Sequence, residues 1–187
     1  CMTIGFALCG SYCTYDRVFP VIETLSKENK VIPILSEAAY ATDSRFGTAE
    51  HWKRKLEEIC GCPPLHLISQ VEPIGPKGLL DILVIAPCTG NTLAKLAHSI
   101  ADGPVTMAAK SHLRNGRPVL VAVSTNDGLA GAGENIGRLL ARKHYYFVPF
   151  GQDDPLKKPT SLIADFAQIP QAVEGALAGQ QIQPMLL

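Results

Sequence analysis

The stretch IAPCTGNTLAKLAHSIADG, Ile85 to Gly103, sets Thr89, Asn91 and Thr92 where a buried apolar run gives way to a helical pattern. Hydroxyls and an amide at such a joint fall just before, or within, the first helical turn. Unpaired N–H groups and the positive end of the helix dipole favour an oxyanion there, a phosphate above all. N-capping by Asn91 or Thr92 is worth about 1 kcal/mol and accounts for one polar residue, not for the cluster. Lys95 comes one turn later, within reach of a ligand edge, although an exposed lysine is the commoner fate. A second candidate, GLAGAGENIG, supplies Gly131 and Gly133 as a G-x-G, but its third glycine, Gly137, is one place late for the dinucleotide fingerprint. No acidic residue ends a following strand about 20 residues on, so this segment reads as a flexible turn. The cysteines follow neither metal nor disulfide rules: Cys9 and Cys13 flank a loop, Cys60 and Cys62 form a C-x-C, and Cys88 stands alone. Without C-x-x-C spacing no structural metal is expected.

Loops of this kind need a frame. Short apolar runs alternate with helical patterns along the chain, the mark of a parallel sheet covered on both faces. Strands are predicted at Thr3–Gly10, Val31–Ser36, weakly at HLIS (His66–Ser69), at Leu80–Pro87, at RPVLVAVS (Arg117–Ser124) and at YYFVPF (Tyr145–Phe150). Leu80–Pro87 is the most continuously apolar and therefore central. A helix around Val18, Phe19, Ile22 and Leu25 tolerates Pro20 near its first turn. Thr48 caps another, lined by Trp52, Leu56 and Ile59 and stopped at Gly61. Helices also follow from PVTMAAKSHLRNG and GENIGRLLARKHY, and Ser161 is read as the cap of a last one ending at Leu177. No linker or repeat divides residues 1–187, which form one domain. In an open parallel sheet, ligands bind beyond the carboxyl ends of the strands. That selects four loops: CGSYCTYD, SEAAYATDSRFGT, PCTGNT and STNDGLAGAG, all rich in residues that bring amides and hydroxyls to an oxyanion.

Composition narrows the partners. The chain has 187 residues, 47% of them hydrophobic, and its 17 basic and 17 acidic side chains cancel. With no basic run, nucleic acid and membrane surfaces are not indicated, and a small anionic molecule is. No apolar stretch approaches the roughly 18 residues of a membrane span and no signal-peptide pattern opens the chain, so a cytoplasmic protein is expected.

APCTGNTLAKLAHSIADG resembles the A-P-x-T-x-N-T-x-A-K-x-A-x-G-x-A-D signature of homo-oligomeric, flavin-containing, decarboxylase-type flavoproteins, with Ser99 where many members have glycine. CGSYCTY matches that family's G-S phosphate loop. The resemblance implies an α/β fold, a three-layer α/β/α, Rossmann-like (flavodoxin-type) parallel sheet with an FMN site. Gly10, Ser11, Ser36, Pro87, Thr89, Asn91, Thr92 and Ser124 would hold the cofactor. Donors of this type satisfy phosphate oxygens without a buried cation, which suits a chain lacking a basic patch.

Further stretches, TDSRFG, EPIGPK, MAAKSHLRNGRPVLVAVSTND and YYFVPFGQDDPLKKPTSL, narrow the resemblance to one component of a two-subunit oxidoreductase that makes pyridine-2,6-dicarboxylate. That implies NADPH held by a separate partner subunit, a dicarboxylate substrate and a homo-oligomer, trimer or dodecamer. Arg45 in TDSRFG is the first candidate for a bidentate carboxylate contact, ahead of Arg114 and Arg117. Cysteine decarboxylases of the family carry P-x-M-N where this chain has AVSTND. Asn126 replaces the asparagine as a candidate catalytic residue, while proline and methionine are missing. No catalytic histidine is evident: His66 falls on the weak strand, and His51, His98, His112 and His144 read as helix-surface residues. Two alternatives stay open, a stand-alone decarboxylase or flavin prenyltransferase and a partner subunit without flavin. Tyr12, Tyr15 and Phe46 on the ligand-side loops are read equally as covers for a flavin ring, as contacts with a neighbouring subunit or as loop packing.

Overall fold

The computed structural model describes residues 1–187. Four apolar runs form the parallel sheet: β1 (Thr3–Leu8), β2 (Lys30–Leu35), β3 (Ile82–Cys88) and β4 (Val119–Thr125). Every residue of β3 is buried, as a strand covered on both faces requires. The order is β2-β1-β3-β4, with β5 (Tyr145–Phe147) parallel to the first half of β4. The connections therefore run one way from β1 to β2 and the other way from β3 onward. Right-handed crossovers then put helices on opposite faces and open a crevice beyond β1 and β3.

On one face α1 (Tyr15–Ser26) packs against α8 (Ile169–Leu177). On the other, α4 (Ile68–Val71) packs on α6 (Pro104–Leu113), α6 on α5 (Gly90–Ala97), and α5 on α7 (Gly133–Leu140). The three-layer architecture is as predicted. α3 (Ala49–Cys60) lies against α1 and β2. The Thr48 hydroxyl caps it by accepting from the His51 N–H at 3.0 Å, and Gly61, in the left-handed conformation at φ 75°, ends it. No helix is long and apolar enough to cross a membrane.

Several predicted elements differ. HLIS is not a strand: Leu65 alone bridges to Ile34, after which the Gln70 side-chain oxygen accepts from the N–H groups of His66 and Leu67 at 2.8 and 3.1 Å and turns the chain into α4. YYFVPF splits at Val148–Pro149 into β5 and β6 (Phe150–Gly151). Ser161 caps no helix, because β7 (Leu162–Ala164) follows it with the buried–half-buried–buried alternation of a strand. β7 pairs antiparallel with β6 and with Ser124 and Thr125 of β4. The sheet is therefore parallel with an antiparallel extension at the ligand-side end of β4. The loop after β2 contains a short helix, α2 (Glu37–Ala41), and Pro20 lies mid-way through α1, exposed. His112 is fully buried, its Nε2 3.0 Å from the Pro118 carbonyl oxygen. His144 lies in the turn between α7 and β5 rather than on a helix.

Candidate functional site

The carboxyl ends of β1, β3 and β4 open into two adjoining clefts, of about 350 and 730 Å³, that share Gly10, Thr89 and Asn91 as a common ridge.

The smaller cleft is built from helix starts. Thr89 is the N-cap of α5; its Oγ1 accepts from the Thr92 N–H at 3.4 Å and lies 3.2 Å from Thr92 Oγ1, which in turn contacts Cys9 Sγ at 3.3 Å. Across the cleft, Gly103 opens α6, with its N–H donated to Thr106 Oγ1 at 3.2 Å. Ser36 closes the third side as the cap of α2, accepting from the Ala39 N–H at 3.1 Å. Gly90 and Asn91 sit in the first turn of α5, where N–H groups have no intrahelical acceptor. Formal charge adds no attraction for an anion: Lys95 is paired with Asp102 at 2.9 Å, and Glu37 also lines the cleft. The pull on an oxyanion comes from the helix starts. Burial raises the Cys9 thiol above its usual range, against the lowering effect of its hydrogen bonds to Thr92 and Thr89, and so keeps it neutral.

The larger cleft is assembled from distant segments. Ser11 and Ser124 share a hydrogen bond of 2.9 Å that ties the β1 loop to the end of β4. Thr125 Oγ1 donates to Asp127 Oδ1 at 2.5 Å. Gly90 packs directly beneath that pair: a Cβ there would lie 2.6 Å from Thr125 Oγ1 and 3.0 Å from Asp127 Oδ1. The outer wall is the 152–161 loop, held down by Thr160 Oγ1 donating to the Asn126 carbonyl at 2.6 Å. Two cations line this cleft. Arg17 of α1 holds its guanidinium 5.6 Å from the Phe166 ring centre, and Lys158 lies 3.3 Å from Asp153.

Gly10, Thr89 and Asn91 line both clefts; Ser36 and Thr92 line the smaller, and Ser11, Ser124 and Asn126 the larger. Pro87 is buried in β3, its carbonyl accepting from the Cys9 N–H at 3.2 Å, and lines neither. Arg45 is exposed on a tight turn, stacked 4.9 Å over Phe46, and also lines neither. Arg117 donates to the Gly78 and Leu80 carbonyls and so serves the fold. Tyr15 is a core residue whose hydroxyl donates to the Cys9 carbonyl at 2.7 Å, and Tyr12 ties the β1 loop to α2 through the Ala38 carbonyl. Sequence reasoning missed Arg17, Asp127, Lys158 and the start of α6. Two of these had a local signal: Asp127 lies in the selected STNDGLAGAG loop, and the Gly103–Pro104 pair opens a helix.

The Flavoprotein family model matches residues 2–131. The chain is 48% identical over 185 residues to the dipicolinate synthase B subunit of Bacillus subtilis (strain 168), covering 98% of this chain and 92% of that protein. The crystal structure of the dipicolinate synthase B subunit from Bacillus halodurans C aligns with a TM-score of 0.92 at 46% identity, over 100% of this chain and 96% of that one. The FMN-dependent cysteine decarboxylase SpaF shares the fold, with a TM-score of 0.70 at 22% identity over 95% of this chain and 96% of its own. The chain belongs to the flavoprotein family, and the two relatives that match it at 46–48% identity are B subunits of dipicolinate synthases.

Proposed function

We propose that this chain is the flavin-binding B subunit of a dipicolinate synthase, with FMN lying along the two clefts. The observation that carries this reading is the ridge of Gly10, Thr89 and Asn91, which joins a cleft of helix starts to a roomier one with cations. The donor set fits FMN: the N–H groups at the starts of α5 and α6, with the hydroxyls of Thr89, Thr92 and Ser36, suit the phosphate, and Ser11 and Ser124 suit the ribityl chain and ring edge. A bound flavin supplies two-electron acceptance, the chemistry that aromatisation of a dihydropyridine ring requires.

The residues of the larger cleft then hold the substrate. Arg17 and Lys158 are the cations of this cleft, and they would exchange their present carboxylate neighbours, Asp16 at 4.0 Å and Asp153 at 3.3 Å, for those of the substrate; they replace Arg45 in that assignment, while Asn126 offers an amide at the rim. Asp127, fixed by Thr125, is the carboxylate we assign to receive the ring proton. The nicotinamide belongs to the A subunit of the dipicolinate synthase, where NADP+ takes the two electrons on and leaves as NADPH. The broken glycine fingerprint at Gly131–Gly137 leaves no dinucleotide motif in this chain. The setting is the cytoplasm of the mother cell of an endospore-forming bacterium, where the chain assembles as a homo-oligomer, trimer or dodecamer. A stand-alone decarboxylase is the weaker reading, since no histidine lines either cleft and the P-x-M-N segment is missing.

The test is titration of flavin-free protein with FMN, followed by the absorbance shift and fluorescence quenching. We expect saturable binding that weakens about tenfold in Asn91→Ala, the worth of one charge-assisted hydrogen bond. No binding up to millimolar FMN by the folded protein overturns the flavin reading and leaves a partner subunit without cofactor.

A further inference from the structure

Behind the smaller cleft lies another cavity, of about 430 Å³, between the end of α5, the Ser99–Ala101 loop, α6 and β5. Lys95 and Thr106 line both spaces and form the partition between them. Its floor is apolar: Leu96, Ala109 and Tyr145 are buried, and Leu113 is half-buried beside them. Ile100, 47% exposed, forms the lip.

The rim is cationic. Lys110 and Arg114 sit four residues apart, so they share one side of the helical turn that closes α6. Neither is paired with a carboxylate. Arg142 donates to the Leu96 and Ala97 carbonyls, so its charge offsets the negative end of α5, and Lys95 is paired with Asp102. No carboxylate lines the cavity. Two cations without a carboxylate partner thus border an apolar floor.

We propose that this cavity binds a one- or two-ring organic carboxylate, its ring against Leu96, Ala109 and Leu113 and its anion between Lys110 and Arg114. The volume suits such a molecule, at the lower end of the range of about 300–1,000 Å³ for small-molecule sites. An inorganic anion leaves the apolar floor unused, and a neutral hydrocarbon leaves the cations unmatched. The inference does not depend on FMN or on the proposed reaction.

Calorimetric titration of the full chain with naphthalene-2-carboxylate tests it. Saturable binding at one site per chain is expected, at least about tenfold weaker for the neutral carboxamide and for Lys110→Glu/Arg114→Glu, since each loses a charge-assisted hydrogen bond. Ile100→Glu, an exposed change that leaves the fold intact, should also weaken it, and Arg17→Ala should not. Absence of saturable binding overturns the proposal. So does undiminished binding in the double variant, and loss of binding in Arg17→Ala assigns the probe to the larger cleft and overturns it equally.

Discussion

The two clefts that meet at Gly10, Thr89 and Asn91 are made in opposite ways. The smaller draws its donors from helix starts, where capping residues lie within three positions of the N–H groups they organise, as Thr89 does with Thr92 and Ser36 with Ala39. The larger draws on α1, the end of β4 and the 152–161 loop, and its bonds join residues as distant in sequence as Ser11 and Ser124. An oxyanion site can be local because backbone N–H groups supply the attraction. A site for a particular acid cannot be, because cations must be brought in from wherever the fold leaves them.

That contrast can be broken at several points. The largest effect should come from Gly90→Val, which lies in the larger cleft between the ridge residues Thr89 and Asn91: its branched side chain drives into Thr125 Oγ1 and Asp127 Oδ1. Overpacking of this kind costs about 1–3 kcal/mol, so calorimetry should show a Tm lower by roughly 2–10 °C, and FMN binding should be lost. If the variant keeps wild-type FMN affinity, the two clefts do not work as one.

Arg17→Ala should separate them. Affinity for pyridine-2,6-dicarboxylate, measured by calorimetry, should fall about tenfold or more with one charge-assisted contact gone, while FMN affinity stays within about threefold. A matching loss of both ligands would place Arg17 on the flavin instead. Ser124→Ala removes the bond to Ser11 and should cost about 1 kcal/mol, seen as a drop in chemical-denaturation midpoint with a small loss of FMN affinity. The smallest effect belongs to Arg45→Ala. Exposed and outside both clefts, it should change stability by less than about 0.5 kcal/mol and leave dicarboxylate affinity unaltered; a clear loss would restore Arg45 as a carboxylate contact, reached from a neighbouring protomer.

Much of this was legible in the order of residues. β1, β2, β3 and β4 are continuous apolar runs, and Thr48 and Gly61 mark the limits of α3. The polar joint after β3 announced its helix start. Elements that fail to show themselves are those fixed by partners far away. Leu162–Ala164 is a strand because Ser124 and Thr125 lie alongside to pair with it, and HLIS is not one because Gln70 captures its N–H groups. Arg45, in a conspicuous TDSRFG loop, looked like the better ligand, and nothing in the sequence around Arg17 marked it.

The sequence by itself determined the layered α/β class, the position of the crevice and the helix-start donors, because periodicity and capping act over a few residues. Only the tertiary structure decided which cations face the larger cleft, that β4 carries an antiparallel extension, and that Lys110 and Arg114 border an apolar cavity. Those outcomes depend on contacts between residues tens of positions apart, and no local pattern encodes which side chains the closing of a sheet brings together.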